Sequence, residues 1–280
     1  MCEYIKSIYS GEIVQNNRGI LGDNYEIDIY LPEKRLGIEI DGSYWHSDEN
    51  IKDFKYHQNK TIRAAIKNVH LVHIFEYEWR DNQVKIEQYL KSLLKENTDR
   101  YYARKLQVCE ITADDTREIL NKNHLQGYAA ASVNIGIKDG DKLLGVITFG
   151  TPRFNKNCDW ELIRLCYDSN VSIVGGTQKM FKYFLKHYNP SSIVSYSNLA
   201  KFGGGIYLKL GFKLDHISDP GYVWLNVKKK EVLTRYQTQK HKLVLDGLGT
   251  EDQTEDEIMK SMNYLKIYDC GNEVFIWRKA

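Results

Sequence analysis

Leu36-Gly-Ile-Glu-Ile-Asp-Gly-Ser-Tyr-Trp-His46 carries the strongest structural signal in the chain. Its first six residues alternate, Ile38 and Ile40 against Glu39 and Asp41, which is the period of a β-strand with one apolar face. Gly42 then permits a tight turn that returns His46 toward the strand end. Just upstream, Tyr25-Glu-Ile-Asp-Ile-Tyr30 alternates in the same way and puts Asp28 on its polar face, with Pro32 closing the strand. Neighbouring acidic strands and a histidine turn bring Asp28, Glu39 and His46 together. Such carboxylates and an imidazole suit Mg²⁺ or Mn²⁺, which polarises a phosphate and lowers the pKa of a bound water. A polar face turned to solvent is the competing explanation.

Around this core the first segment reads as helix, two strands, helix, strand, helix. Residues 3–13 and 51–67 have helical apolar spacing, 69–79 is rich in β-formers, and 84–94 is amphipathic. The polar stretch 95–105 reads as a linker. Beyond it come strands near 132–137, 143–149, 160–166 and 193–196, a helix over 177–188, and a short helix before Gly211-Phe212. The domains expected are 1–97, 106–230, and a basic then acidic extension over 231–280 that ends in an apolar strand at 274–277. The fold class is therefore α/β throughout.

Composition narrows the function less. The chain has 280 residues, 39 basic and 37 acidic, for a net charge of +2. Any nucleic-acid face must come from local clustering rather than overall charge. Lys228, Lys229, Lys230, Arg235, Lys240 and Lys242, interleaved with Tyr236 and His241, form such a cluster and could neutralise phosphates. A solvated basic face explains the same run. Five scattered cysteines without a CxxC pair read as reduced thiols in a cytoplasm and argue against a zinc finger. No apolar run is long enough for a membrane span.

The order Glu3, Asp28, Ile40, His46 resembles the EDxHD nucleases, the very-short-patch repair and phage homing endonucleases of the PD-(D/E)xK fold. The resemblance covers roughly residues 1–95, with Tyr56-His-Gln-Asn-Lys60 and His70-Leu-Val-His-Ile-Phe-Glu-Tyr-Glu-Trp79 as further matching segments. It implies that Asp28 and the Ile40 carbonyl hold the metal, with Glu39 in the broader acidic position. His46 would serve the hydrolytic step, and Glu3 would reach in from the first helix. The family's final aspartate has no match; His57 and Lys60 stand near that place. Lys60 would steady developing phosphorane charge, or else be a solvated helical lysine.

Further along, Val174-Gly-Gly-Thr-Gln178 opens a helix after an apolar strand, and Gly205-Ile-Tyr-Leu-Lys-Leu-Gly-Phe212 follows. Together they resemble the GNAT acyltransferase fold. Trp160-Glu-Leu-Ile-Arg-Leu-Cys166, Ile193-Val-Ser-Tyr-Ser-Asn198 and Tyr264-Leu-Lys-Ile-Tyr-Asp-Cys-Gly271 resemble the GNAT-like and Mom-type proteins of phages. The resemblance implies acyl-CoA held by Gly175, Gly176 and Thr177, and a leaving thiolate protonated by Tyr207. The glycine spelling is incomplete and no base is visible beside Tyr207, so acetyl-CoA ranks behind Mg²⁺ or Mn²⁺. The expectation is thus a phage-encoded, metal-dependent endonuclease acting on double-stranded DNA in a bacterial cytoplasm. The alternatives are a DNA-base-modifying acyltransferase and a non-catalytic DNA-binding module.

Overall fold

A computed structural model describes residues 1–22, 25–94 and 99–279. The first part of the chain forms α1 (Cys2–Ile8), β1 (Val14–Asn17), β2 (Ile27–Leu31), β3 (Leu36–Asp41), α2 (Tyr56–Ile66), β4 (His70–Phe75) and α3 (Glu76–Leu94). The strands lie in sequence order in one four-stranded sheet. β1, β2 and β3 pair antiparallel, while β3 and β4 are parallel because α2 carries the chain back between them. Ile29, Ile38, Val72 and Ile74 bury one face against Ile5 of α1 and Ile86 and Leu90 of α3.

Three sequence expectations change here. The first helix ends at Ile8 rather than continuing to residue 13. The run 69–79 is strand only to Phe75. There Glu78 turns back to accept the Phe75 N–H at 3.1 Å, and the acidic first turn of α3 suits a helix N-terminus. In β3 the alternation holds but both faces are buried rather than one: Ile38 is in the core and Glu39 and Asp41 are 2% and 1% exposed, while Ile40 alone is 38% exposed. The polar face lies inside the protein, toward the buried His57 and Lys60 of α2.

The remainder runs β5 (Asp99–Tyr102), β6 (Gln107–Glu110), α4 (Ala113–Asn123), β7 (Val133–Asp139), β8 (Lys142–Gly150), β9 (Trp160–Tyr167), β10 (Val171–Val174), α5 (Gly176–Tyr188), β11 (Ser192–Asn198), α6 (Gly205–Lys209), β12 (Lys213–Ile217), β13 (Tyr222–Asn226), β14 (Glu231–Thr234), α7 (Lys240–Leu245), α8 (Glu255–Ser261), β15 (Leu265–Tyr268) and β16 (Asn272–Arg278). A seven-stranded sheet has the order β12-β16-β11-β9-β8-β7-β6, and all its pairings are antiparallel except β11 with β9. Met180, Phe181 and Phe184 of α5 cover one face. β14, β13 and β15 form a separate small sheet around Trp224, on which α7 and α8 pack. Of the expected linker 95–105, residues 95–98 lie outside the described residues, and β5 follows them directly.

Residues 231–280 do not form an extension. β16 is an interior strand between β12 and β11, because its apolar residues Val274 and Phe275 complete that sheet's core. The four-stranded sheet also packs tightly on the rest. The Gln58 amide donates to the carbonyls of Ser218 (2.8 Å) and Cys270 (2.9 Å), the His73 N–H donates to Ala200 (2.9 Å), and Phe75 packs with Leu225 and Ile267. Among the described residues no helix is long and apolar enough to cross a membrane.

Candidate functional site

Two groups of polar side chains are buried at places the fold determines. The first lies on the inner face of β3. Asp41 accepts from His73 Nδ1 through Oδ2 at 2.9 Å, and His73 Nε2 meets the Thr61 hydroxyl at 2.9 Å. Its other oxygen, Oδ1, lies 3.2 Å from His46 Nδ1 and 3.6 Å from His57 Nδ1. Neither approach is a hydrogen bond. Among the described residues Asp41 Oδ1, His46 Nδ1 and both ring nitrogens of His57 are buried without a hydrogen-bond partner. The Gly42–His46 turn and the first turn of α2 place the two imidazoles, which stack at 5.0 Å.

The electrostatics follow from burial. Burial opposes charge on Asp41, but the attraction and hydrogen bond of His73, with His57 and His46 behind it, outweigh that and hold the carboxyl well below the usual range. Burial pushes His57 down to about 3 despite Asp41, and it lowers His46 as well. Both rings are therefore neutral at pH 7 and keep a lone pair for a ligand. Burial raises Glu39 to about 7 against the pull of Lys60; Lys60 stays charged because attraction to Glu39 outweighs its own burial.

The metal set expected from sequence is not assembled in this way. Asp28 Oδ2 accepts the Ile40 N–H at 2.7 Å, and Glu39 is closed in an ion pair with Lys60. Lys60 is thus 4% exposed, not solvated. Glu3 is at the surface, paired with Lys6 at 3.7 Å, and does not join the group. His46 and His57 do join it. Asp41 and His73 were not singled out from sequence, although Asp41 stands two positions beyond Glu39 on the same face of the strand.

The second group surrounds Tyr207. β9 and β11 pair parallel only at Trp160–Ile193, Glu161–Val194 and Leu162–Ser195, and then part. Each continues along its other neighbour, β9 with β8 to Tyr167 and β11 with β16 to Asn198. At the last of the parallel pairs the Ser195 hydroxyl donates to the Leu162 carbonyl at 2.9 Å. Tyr207 of α6 stacks on Phe275, and its hydroxyl is held above its ordinary range by burial, against the opposing influence of the nearby Ser195 hydroxyl and the charge of Arg164. Directly across from Ser197 stands Glu273, raised by burial; Ser197 Oγ and Glu273 Oε2 have no hydrogen-bond partner among the described residues. Glu273 is a titratable carboxyl close enough to act on the charge of Tyr207, where the sequence offered none. It comes from β16, too far along the chain for any spacing to signal.

The glycine turn is built as a strand-to-helix junction. Gly175 has φ +78 at the N-cap of α5, and a Cβ on Gly176 would lie 2.8 Å from the Tyr167 hydroxyl, which itself meets Thr177 Oγ1 at 2.7 Å. Of the basic run, Lys228, Lys229 and Lys230 lie exposed in the turn between β13 and β14. Lys240 and Lys242 instead donate to the carbonyls of Glu251 and Tyr236, and Arg235 sits over the Tyr222 ring.

No family model and no curated protein matches the sequence. Solved structures do. A GNAT-family acetyltransferase from Bacillus cereus ATCC 10987 is 13% identical, with 62% of this chain and 98% of that one covered and a TM-score of 0.33. An acetyltransferase from Bacillus subtilis in complex with CoA is 14% identical, over 63% and 99%, at 0.35. The ribosomal-protein-S18-alanine N-acetyltransferase from Escherichia coli is 8% identical, over 62% and 93%, at 0.36. These are transferases. The expectation of a metal-dependent endodeoxyribonuclease is corrected on the geometry: Asp28 and Glu39, its expected metal ligands, are already committed to Ile40 and Lys60.

Proposed function

We propose that the chain is an acyltransferase of GNAT-like architecture that takes its acyl group from an acyl-CoA, held where β9 and β11 separate. The separation is the observation that carries this reading. Parallel strands that part leave backbone N–H and C=O groups facing one another without a ladder partner, and buried groups of that kind need one. An extended, amide-bearing arm such as pantetheine supplies it in the manner of an added strand. The residues at the split suit the chemistry. Tyr207 gives its proton to the departing thiolate as the carbon–sulfur bond breaks, and Glu273 accepts the proton shed by the attacking nucleophile. Desolvation favours both roles, since it keeps Tyr207 protonated and raises Glu273 above the usual carboxylate range, making it a stronger base. Acetyl-CoA therefore moves ahead of Mg²⁺ or Mn²⁺ as the expected small-molecule partner.

The exposed Lys228–Lys230 turn supports DNA as the acceptor or as its carrier. The test is calorimetric titration of the full-length protein with acetyl-CoA, followed by thiol release with and without duplex DNA. The reading expects micromolar binding, roughly −8 kcal/mol, and DNA-stimulated release. Absence of binding at millimolar acetyl-CoA would overturn it.

A further inference from the structure

We infer that Asp41, His46 and His57 form a binding site for one divalent transition-metal ion of the zinc and cobalt class. The three side chains each offer one ligand atom, and these atoms lie within 4.8 Å of one another. The two distances to Asp41 Oδ1, 3.2 and 3.6 Å, bracket the edge of a tetrahedron around zinc. That edge is ~3.3–3.4 Å when metal–ligand bonds are ~2.0–2.1 Å. Among the described residues no hydrogen bond satisfies these atoms. Asp41 and His57 have side chains 1% and 3% exposed, yet Asp41 Oδ1 and both His57 nitrogens lack a hydrogen-bond partner among the described residues. A buried polar atom left without a partner is destabilising, so several gathered within reach of one another call for a shared one.

The surroundings are those of a built site. Asp41 is oriented by His73, and His73 by Thr61, the outer support that metal-binding carboxylates and imidazoles commonly have. Asp28 and Glu39 stand nearby, with Lys60 the cation facing them. Two imidazoles and one carboxylate select a borderline ion over magnesium, which prefers six oxygens in an octahedron. Three protein ligands leave at least one position for water or an oxygen of a bound molecule. The site is separate from the Tyr207 group and stands whether or not acyl transfer does.

The full-length protein, stripped with a chelator, is titrated with Co²⁺ and read by its visible ligand-field bands. We expect one equivalent to bind, Zn²⁺ to displace it, and excess Mg²⁺ to leave it in place. His46→Ala, whose ring is partly exposed, should weaken Co²⁺ binding by at least ~100-fold while the near-ultraviolet circular dichroism stays native. His57→Gln should do the same, and His216→Ala, at an exposed position elsewhere, should not. No stoichiometric bands in the wild type, or wild-type binding by a folded His46→Ala, overturns the site.

Discussion

The Lys201 ammonium, 3% exposed, donates to the backbone carbonyl of His73 at the seam between the two larger sheets. The same nitrogen meets Glu78 at 2.5 Å, and the Lys201 carbonyl accepts from the Tyr89 hydroxyl. A single residue after β11 thus fastens the strand that carries His73 and the start of α3. Lys201→Met keeps the apolar stem but leaves a buried carbonyl and a carboxylate uncompensated, so we expect a loss of about 3 kcal/mol. Urea denaturation measures it, and a loss under about 1 kcal/mol would count against the fastening role.

Gly204 has φ +61, and a Cβ there would fall 2.3 Å from Glu273 Oε2 and 2.5 Å from the Phe275 ring. Gly204→Ala should therefore destabilise the protein by about 2 kcal/mol through left-handed strain and overpacking. Thermal unfolding reads the effect, and an unchanged Tm would show that the loop moves freely away.

Tyr207→Phe removes the proposed proton donor while keeping the ring on Phe275. Acyl transfer should slow by about 100-fold in kcat, with acetyl-CoA affinity within about twofold of wild type. Thiol release against time checks the first and calorimetry the second; equal rates would remove Tyr207 from the chemistry.

Burial holds His124 down at about 4, with Arg164 and Lys85 adding to the effect. In the unfolded chain the same ring titrates near ~6.5. Between those values the unfolded state binds a proton that the folded state does not. Stability from this residue is complete above about pH 6.5 and falls as pH drops toward 4, by up to ~3 kcal/mol. His124→Gln should flatten that part of the profile. Urea midpoints at pH 7 and 4.5 that drop equally in both proteins would contradict the assignment.

The turn Lys228–Lys230 is exposed between two short strands. If it neutralises phosphates, replacing all three lysines by alanine should weaken duplex binding for every sequence. The slope of log affinity against log salt should become shallower by about 2–3. Fluorescence titrations at several salt concentrations decide this, and an unchanged slope would move DNA contact elsewhere.

Local pattern was enough to reveal about half of the strands. β3 occupies the very residues 36–41 whose alternation announced it, and β9, α5 and β11 fall within a residue or two of their apolar runs, because side-chain period is a property of a few neighbouring residues. The sequence also marked His46, His57, Gly175 and Tyr207 as worth locating. What it could not determine was which face of a strand is inside. Glu39 and Asp41 read equally well as solvent-facing, and only α2 laid across them makes that face buried as well.

Tertiary structure alone decided the composition of both groups. Asp41 meets His73 because β3 and β4 are parallel neighbours across a helical crossover, and Glu273 meets Ser197 because β16, last in the chain, inserts beside β11. Such pairings are set by which apolar strand completes which sheet. That is a competition among distant segments for one core, and no window of sequence contains it. The parting of β9 and β11 belongs to the same class: each strand's own pattern is regular, and the gap exists only because their outer neighbours hold them to diverging paths.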